Sequence, residues 1–104
     1  MNRIVAALAV CLAVALAAPA RAAEDGKTLF AQKCASCHGP DGKGKTPMGQ
    51  KLGAKDLTHE DKEPLDEIVK DIENGKPPKM AAYKGKLSAE QIKAVAAYIK
   101  GGLK

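Results

Sequence analysis

Aromatic side chains are scarce in this 104-residue chain, which has one Phe, two Tyr and no Trp. A core of ordinary aromatic content is therefore excluded, and something else must fill the interior. The chain has three cysteines, but a disulfide would add little stability, because Cys34 and Cys37 are too close together to close a useful loop. Small domains usually need a disulfide, a metal or a cofactor for stability. We therefore expect these two cysteines to hold a non-protein group.

The first 22 residues differ from the rest and predict a secretory signal peptide. Arg3 supplies a positive start, and residues 4–18 form a nearly unbroken apolar run. Ala20 and Ala22 then occupy the −3 and −1 positions of a cut after Ala22. This order of charge, apolar run and small residues is typical of a cleaved export signal.

Two other interpretations of this segment are disfavoured. A membrane anchor needs about 20 apolar residues, and this run is shorter and ends in cleavage-like small residues. A lipoprotein signal would end its apolar run at Cys11, but here the run continues past that cysteine. We expect residues 1–22 to be removed and residues 23–104 to form one periplasmic domain without a stable membrane span.

Three helices are predicted in residues 23–104, and no strand pattern competes with them. The first covers about 25–37 and ends at Gly39-Pro40. The second covers about 64–74, where apolar residues recur at the spacing of one helical face. The third starts at Ser88, with Gln91 positioned for a capping box. The Gly- and Lys-rich stretch 39–61 is predicted to be a loop, so the expected fold class is all-α.

The sequence Cys34-Ala35-Ser36-Cys37-His38 is a C-x-x-C-H motif, the signature of covalent c-type haem attachment. Two thiols three positions apart can form thioethers with the two vinyl groups of a porphyrin. His38 is then placed to put an imidazole nitrogen on the iron. One haem c is therefore the expected cofactor.

Other uses of the two cysteines fit less well. A thioredoxin-like redox pair expects a βαβ context, which the sequence does not show. A structural zinc site wants four ligands, whereas Cys34, Cys37 and His38 supply three and His59 is the only other histidine. A disulfide between the cysteines is left open for a chain that never receives haem.

The iron also needs a sixth ligand or an open site, and Met80 is the preferred candidate. It follows Pro77 and Pro78, which restrict the loop between the second and third helices. Such a loop can place a thioether opposite His38. Met48, which follows Pro47, is the competing candidate.

These motifs resemble a known family. C-A-S-C-H-G at 34–39, P-K-M at 78–80 and A-A-Y-I at 96–99 are similar to class I c-type cytochromes of the small monohaem bacterial c6/c553-like kind. The resemblance implies a small cytochrome c fold with three main helices around one covalently bound haem. It also implies His38 and Met80 as axial ligands. The first and last helices would cross beside the haem at four contact positions: Gly26, Phe30, Val95 and Tyr98.

The expected function is periplasmic transfer of single electrons, with the iron cycling between Fe(III) and Fe(II), and no enzymatic activity. One alternative is an electron-transfer subunit that stays docked on a larger oxidoreductase. A haem enzyme with an open sixth site, such as a peroxidase, is a weaker alternative, because His59 is the only further histidine available for catalysis.

Charge is distributed unevenly along the chain. Residues 60–73 contain seven acidic and two basic residues, whereas residues 74–104 contain seven lysines and one acid. Four of these lysines flank Met80: Lys76, Lys79, Lys84 and Lys86. A basic surface there would attract redox proteins with acidic docking surfaces, or be simply a solvated lysine-rich surface. Nucleic acid is not an expected partner.

Overall fold

A computed structural model describes residues 21–104, and the helices lie within that range. Within this range, five α-helices and one 3₁₀ turn occur in this order: α1 (Arg21–Lys33), α2 (Ala35–His38), α3 (Pro47–Leu52), the 3₁₀ turn (Glu60–Lys62), α4 (Leu65–Asn74) and α5 (Ala89–Lys100). The described residues contain two isolated β-bridges and no longer strand. The predicted all-α fold class is confirmed.

The predicted signal peptide lies outside the described residues except for its last two positions, with which α1 begins. Within residues 21–104, no helix has the length and the apolar character that crossing a membrane requires.

The first predicted helix is divided into two at Cys34. α1 ends at Lys33, and Cys34 is the N-cap of the short helix α2 that carries the rest of the motif. The amide of His38 donates to the carbonyl of Cys34 at 2.9 Å, so one helical turn joins the two residues. Gly39 then adopts a φ of 84°, a conformation open mainly to glycine, and ends the helix.

The predicted loop 39–61 is wrong in part, because it contains α3 and the first residues of the 3₁₀ turn. Thr46 is the N-cap of α3, and its hydroxyl accepts a hydrogen bond from the amide of Gly49 at 2.9 Å. Pro47 occupies the first helical position, which suits proline. Gly53 closes the helix in the left-handed conformation. The Thr-Pro start and glycine stop are visible in the sequence, but six residues are too few for a helical period.

The second and third predicted helices are confirmed as α4 and α5. In α4, Ile68 and Ile72 are buried on one face. At the start of α5, the amide of Gln91 donates to the Ser88 hydroxyl at 3.0 Å, and the Ser88 amide donates to the Gln91 side chain at 2.8 Å. This is the predicted capping box.

The core forms where α5 packs against both α1 and α4. Phe30 of α1 meets Tyr98 of α5 with ring centroids 5.5 Å apart and planes tilted by 56°. Gly26 lies so close to the carbonyl of Ala94 that a Cβ at this position would overlap it. Among the described residues, the buried apolar side chains are Leu29, Phe30, Ile68, Ile72, Ile92, Val95, Ala96 and Ile99. The α1–α5 crossing thus brings together the four contact positions expected from the sequence.

Candidate haem-binding site

A cavity of about 350 Å³ opens beside this core, and the predicted site residues surround it. Cys34, Cys37, His38 and Met80 all line the cavity. Met48 lies on α3 outside the lining and is half exposed. The fold therefore brings together the two thiols, the imidazole and one of the two candidate thioethers.

Apolar side chains form much of the cavity wall. Ile68 and Ile72, one turn apart on α4, present the same face to the cavity, and Ile99 of α5 adds to it. Leu52 and Leu57 line it from the segment around α3. An apolar wall of this kind excludes water and suits a flat hydrophobic group.

The orientation of His38 is set by a backbone hydrogen bond. Its ring is buried, and Nδ1 lies 2.8 Å from the carbonyl oxygen of Lys55. Since a carbonyl can only accept, Nδ1 carries the proton and donates it. In the neutral imidazole with this tautomer, Nε2 is the nitrogen left free to ligate a metal. Lys55 was not identified from the sequence, because any residue can supply a backbone carbonyl.

The C-x-x-C-H motif is also held from the side of α3. The Thr46 hydroxyl lies 2.7 Å from the Ser36 carbonyl and 3.0 Å from the Cys37 carbonyl, so it donates to this turn. Gly49 packs so closely that a Cβ there would overlap the Cys37 carbonyl. These two contacts explain why a short helix follows the motif, and neither was predicted.

The Met80 loop is closed by backbone hydrogen bonds. The Lys76 amide donates to the Met80 carbonyl at 2.8 Å, and the Met80 amide donates back at 2.9 Å. Gly75, with a φ of 58°, lets the end of α4 approach the backbone of Ala81. Tyr83, a few residues on, lines the same cavity. The loop therefore places Met80 at the cavity through its backbone.

The thiols do not resemble a redox-active pair. Burial, and to a lesser extent the negative charge of Cys37, raise the pKa of the Cys34 thiol to about 11. A thioredoxin-like cysteine needs the opposite shift, because its reactive form is the thiolate. Burial, and then the charges of the same two cysteines, also raise the pKa of Tyr83. Both described cysteines are free, as haem attachment requires.

The remaining alternatives from the sequence gain no support from these contacts. Within residues 21–104, no cluster of three or more His, Cys, Asp or Glu side chains could hold a metal ion by itself. His59 is exposed and lies outside the cavity lining. It is therefore not placed as a catalytic histidine beside this cavity.

Known proteins are similar to this chain in both sequence and fold. Residues 21–99 match the family described as "Cytochrome C oxidase, cbb3-type, subunit III". Cytochrome c6 of Rippkaea orientalis is 41% identical over 92 residues, which cover 86% of this chain and 81% of that protein. The chain belongs to the c-type cytochromes. A solved structure, the KustC0563 c-type cytochrome, matches this cytochrome with a TM-score of 0.67 and 35% identity, over 74% of this chain and 95% of the other.

Larger relatives contain a similar domain. The cbb3-type cytochrome c oxidase subunit CcoP of Azospirillum brasilense is 36% identical over 86 residues. That match covers 77% of this cytochrome but 28% of the subunit, so the chain spans about a quarter of the length of such relatives. The relatives bear the names of cytochromes or of an oxidase subunit, which supports the expectation that this chain is not itself an enzyme.

Membership of this family means that the cytochrome carries one covalently bound haem c. The residues at the cavity fit that group. Attachment and burial of a haem need two free thiols, a buried imidazole with Nε2 available and a mainly aliphatic wall. The cavity offers all three. The predicted cofactor and the predicted small cytochrome c fold are both confirmed at the level of the family.

Proposed function

We propose that this cytochrome is an exported single-electron carrier whose haem iron is ligated by His38 and Met80. The observation that carries the proposal is the shared cavity: Cys34, Cys37, His38 and Met80 line it together, whereas Met48 lies outside it. The roles expected from the sequence, two thioethers and two axial ligands, thus fit one place in the fold.

The chain's residues would support electron transfer by fixing and shielding the cofactor. The bound haem supplies a one-electron change between Fe(III) and Fe(II). His38 offers Nε2, because the Lys55 carbonyl holds its other nitrogen. Met80 offers its thioether from a loop closed on itself by two backbone hydrogen bonds. An iron held by both side chains would have no open site for a substrate, and a His/Met pair would raise its reduction potential.

Basic residues at the cavity suggest the chemistry of the partner. Lys33, Lys76 and Lys79 line the cavity, and all three are exposed. Lys84 and Lys86 are exposed a few residues further on. A redox protein with an acidic docking surface would be attracted to this side and its encounter accelerated. The association rate should then fall as ionic strength rises.

Two further parts of the proposal rest on the sequence and on the relatives. Residues 1–22 would direct the chain to the periplasm and be removed there. The similarity to part of the CcoP subunit favours one second candidate, a domain that stays docked on a larger oxidase. Gel filtration of the native periplasmic fraction separates the two, because a carrier elutes as a free monomer and a docked subunit elutes with its complex.

The optical spectrum of the purified holoprotein, oxidised and reduced, tests the ligation. A weak near-infrared band reports a bond between a thioether and ferric iron. We expect this band, and we expect the reduced protein not to bind carbon monoxide. A missing band together with rapid carbon monoxide binding would show an open sixth site and overturn the carrier proposal.

A further inference from the structure

The 3₁₀ turn buries a carboxylate close to the proposed haem site. Glu60 and His38 are the two polar residues buried within the part of the chain that the structure describes. The Glu60 carboxylate lies 3.2 Å from Nζ of Lys55, and its side chain is 8% exposed. A buried carboxylate is unfavourable unless it is paired and hydrogen-bonded. Lys55 supplies that partner here.

Lys55 connects this carboxylate to the proposed proximal ligand. Its side chain pairs with Glu60, and its backbone carbonyl accepts the Nδ1 proton of His38 at 2.8 Å. One residue is therefore held at both ends, by the ion pair and by the imidazole. The Lys55 side chain is otherwise 60% exposed, so its contact with the Glu60 carboxylate restricts how far residue 55 can move.

The 3₁₀ turn is itself fastened to the terminal helix. Nζ of Lys100, near the end of α5, donates to the carbonyls of Asp61 at 2.8 Å and Glu63 at 2.7 Å. A continuous series of contacts thus runs from α5 through the 3₁₀ turn and Lys55 to the imidazole of His38. α5 also packs against α1, so the series is anchored where these two helices cross.

We propose that the Lys55–Glu60 ion pair is a positioning device for the imidazole of His38. It holds the Lys55 carbonyl where it accepts the Nδ1 proton, and so keeps Nε2 aimed into the cavity. Lys55 and Glu60 act through His38 and are positioning residues. The inference rests on the proposed ligation of the iron by His38.

The test uses proton nuclear magnetic resonance of the reduced holocytochrome. Its readout is the exchange rate of the His38 Nδ1 proton with solvent in Glu60→Gln, Lys55→Met and the double variant. We expect about fivefold faster exchange in each single variant, because weakening the Nδ1 hydrogen bond by its usual net contribution would raise the population of the open form by roughly that factor. The double variant should exchange no faster than the singles, because both substitutions remove the same contact.

Two sets of controls separate this effect from charge and from stability. Glu67→Gln and Lys70→Met make the same charge changes in an exposed pair 3.6 Å apart on α4. Ser88→Ala removes the N-cap of α5, at the opposite end of that helix from Lys100, and lowers stability without touching the pair. We expect wild-type Nδ1 exchange in all three.

The outcomes distinguish failure of the positioning role from failure of the ligation. Unchanged exchange in Glu60→Gln would overturn the inference, as would an effect confined to Lys55→Met, which would mean that Lys55 acts without Glu60. Equal acceleration in Ser88→Ala would also overturn it, because loss of stability alone would explain the result. If the His38 ring protons of the wild-type protein lacked the large shift that a haem causes in its ligand, the ligation itself would be wrong.

Discussion

The Tyr83 hydroxyl donates a hydrogen bond to the backbone carbonyl of Lys33 across 3.1 Å, although the two residues are 50 positions apart in the sequence. Lys33 is the last residue of α1 and immediately precedes Cys34, and Tyr83 follows the proposed ligand Met80 by three residues. The bond therefore joins the chain entering the haem motif to the segment that follows the Met80 loop.

Tyr83→Phe should weaken this connection. Loss of the bond is expected to lower the free energy of unfolding by about 1 kcal/mol, the usual contribution of a single hydrogen bond. The midpoint at which denaturant removes the near-infrared methionine band should fall in parallel. Tyr98→Phe, which removes a hydroxyl from the α1–α5 contact, is the matched control and should change that midpoint less. An unchanged midpoint in Tyr83→Phe would show that the bond does not hold the loop.

Substitution of the two methionines separates the candidate ligands. Met80→Ala is expected to abolish the near-infrared band, lower the reduction potential and admit carbon monoxide to the reduced protein. Met48→Ala should leave all three properties at their wild-type values, because Met48 is half exposed and lies outside the cavity lining. The reverse pattern in spectra and redox titration would assign the sixth ligand to Met48.

The close approach of Gly26 to the Ala94 carbonyl predicts a penalty for any side chain there. Gly26→Ala should force α1 and α5 apart and lower the free energy of unfolding by about 1–3 kcal/mol, as overpacking usually does. Ala31→Leu adds more atoms to the same helix at an exposed position and should change stability by less than about 0.5 kcal/mol. Urea denaturation of the holoprotein measures both, and equal stabilities would contradict the packing described for the crossing.

Loss of the haem attachment should unfold the domain. With Cys34→Ala and Cys37→Ala combined, the apolar cavity would have no occupant, and the eight buried apolar residues would be left as the main core. We expect circular dichroism to show little helix and no cooperative thermal transition. Ser36→Ala, between the two cysteines, is the control and should keep its haem and its fold. A stable, helical double variant would mean that the chain folds without the cofactor.

A pH dependence is expected from Asp56, which follows Lys55. Hydrogen bonds from the Thr58 hydroxyl at 2.6 Å and amide at 2.8 Å hold the pKa of this carboxyl below its usual value. A carboxyl whose pKa is lower in the folded state stabilises the fold above its unfolded pKa, about 3.9, and this contribution is lost as the pH falls through the folded value.

Asp56→Asn should therefore reduce stability at neutral pH and flatten the acid side of the stability curve below about pH 4. Denaturant midpoints measured from pH 2 to pH 7 check this, with Glu63→Gln as a control for loss of one acidic charge. An acid limb as steep in Asp56→Asn as in the wild type would exclude Asp56 as its source.

Much of the site was predictable from local sequence. The spacing of Cys34, Cys37 and His38 predicted covalent haem attachment, because one turn of chain can supply two thiols and an imidazole. The extents of α4 and α5 were also predictable from residues close together in the sequence. At the start of α5, for example, Ser88 and Gln91 form a capping box. The short helix α3 has local signals as well, but six residues give too little periodicity to stand out.

The tertiary structure alone decided which distant groups meet. Met48 directly follows a proline and Met80 follows one by two positions, and the choice between them depends on which loop the packing of α4 and α5 directs to the cavity. The acceptor for His38 is a backbone carbonyl, and every residue has one, so composition cannot identify Lys55. The sequence by itself determined the cofactor and the helices because those depend on neighbours along the chain. The contacts that orient the ligands join residues far apart in sequence, and only packing brings them within bonding distance.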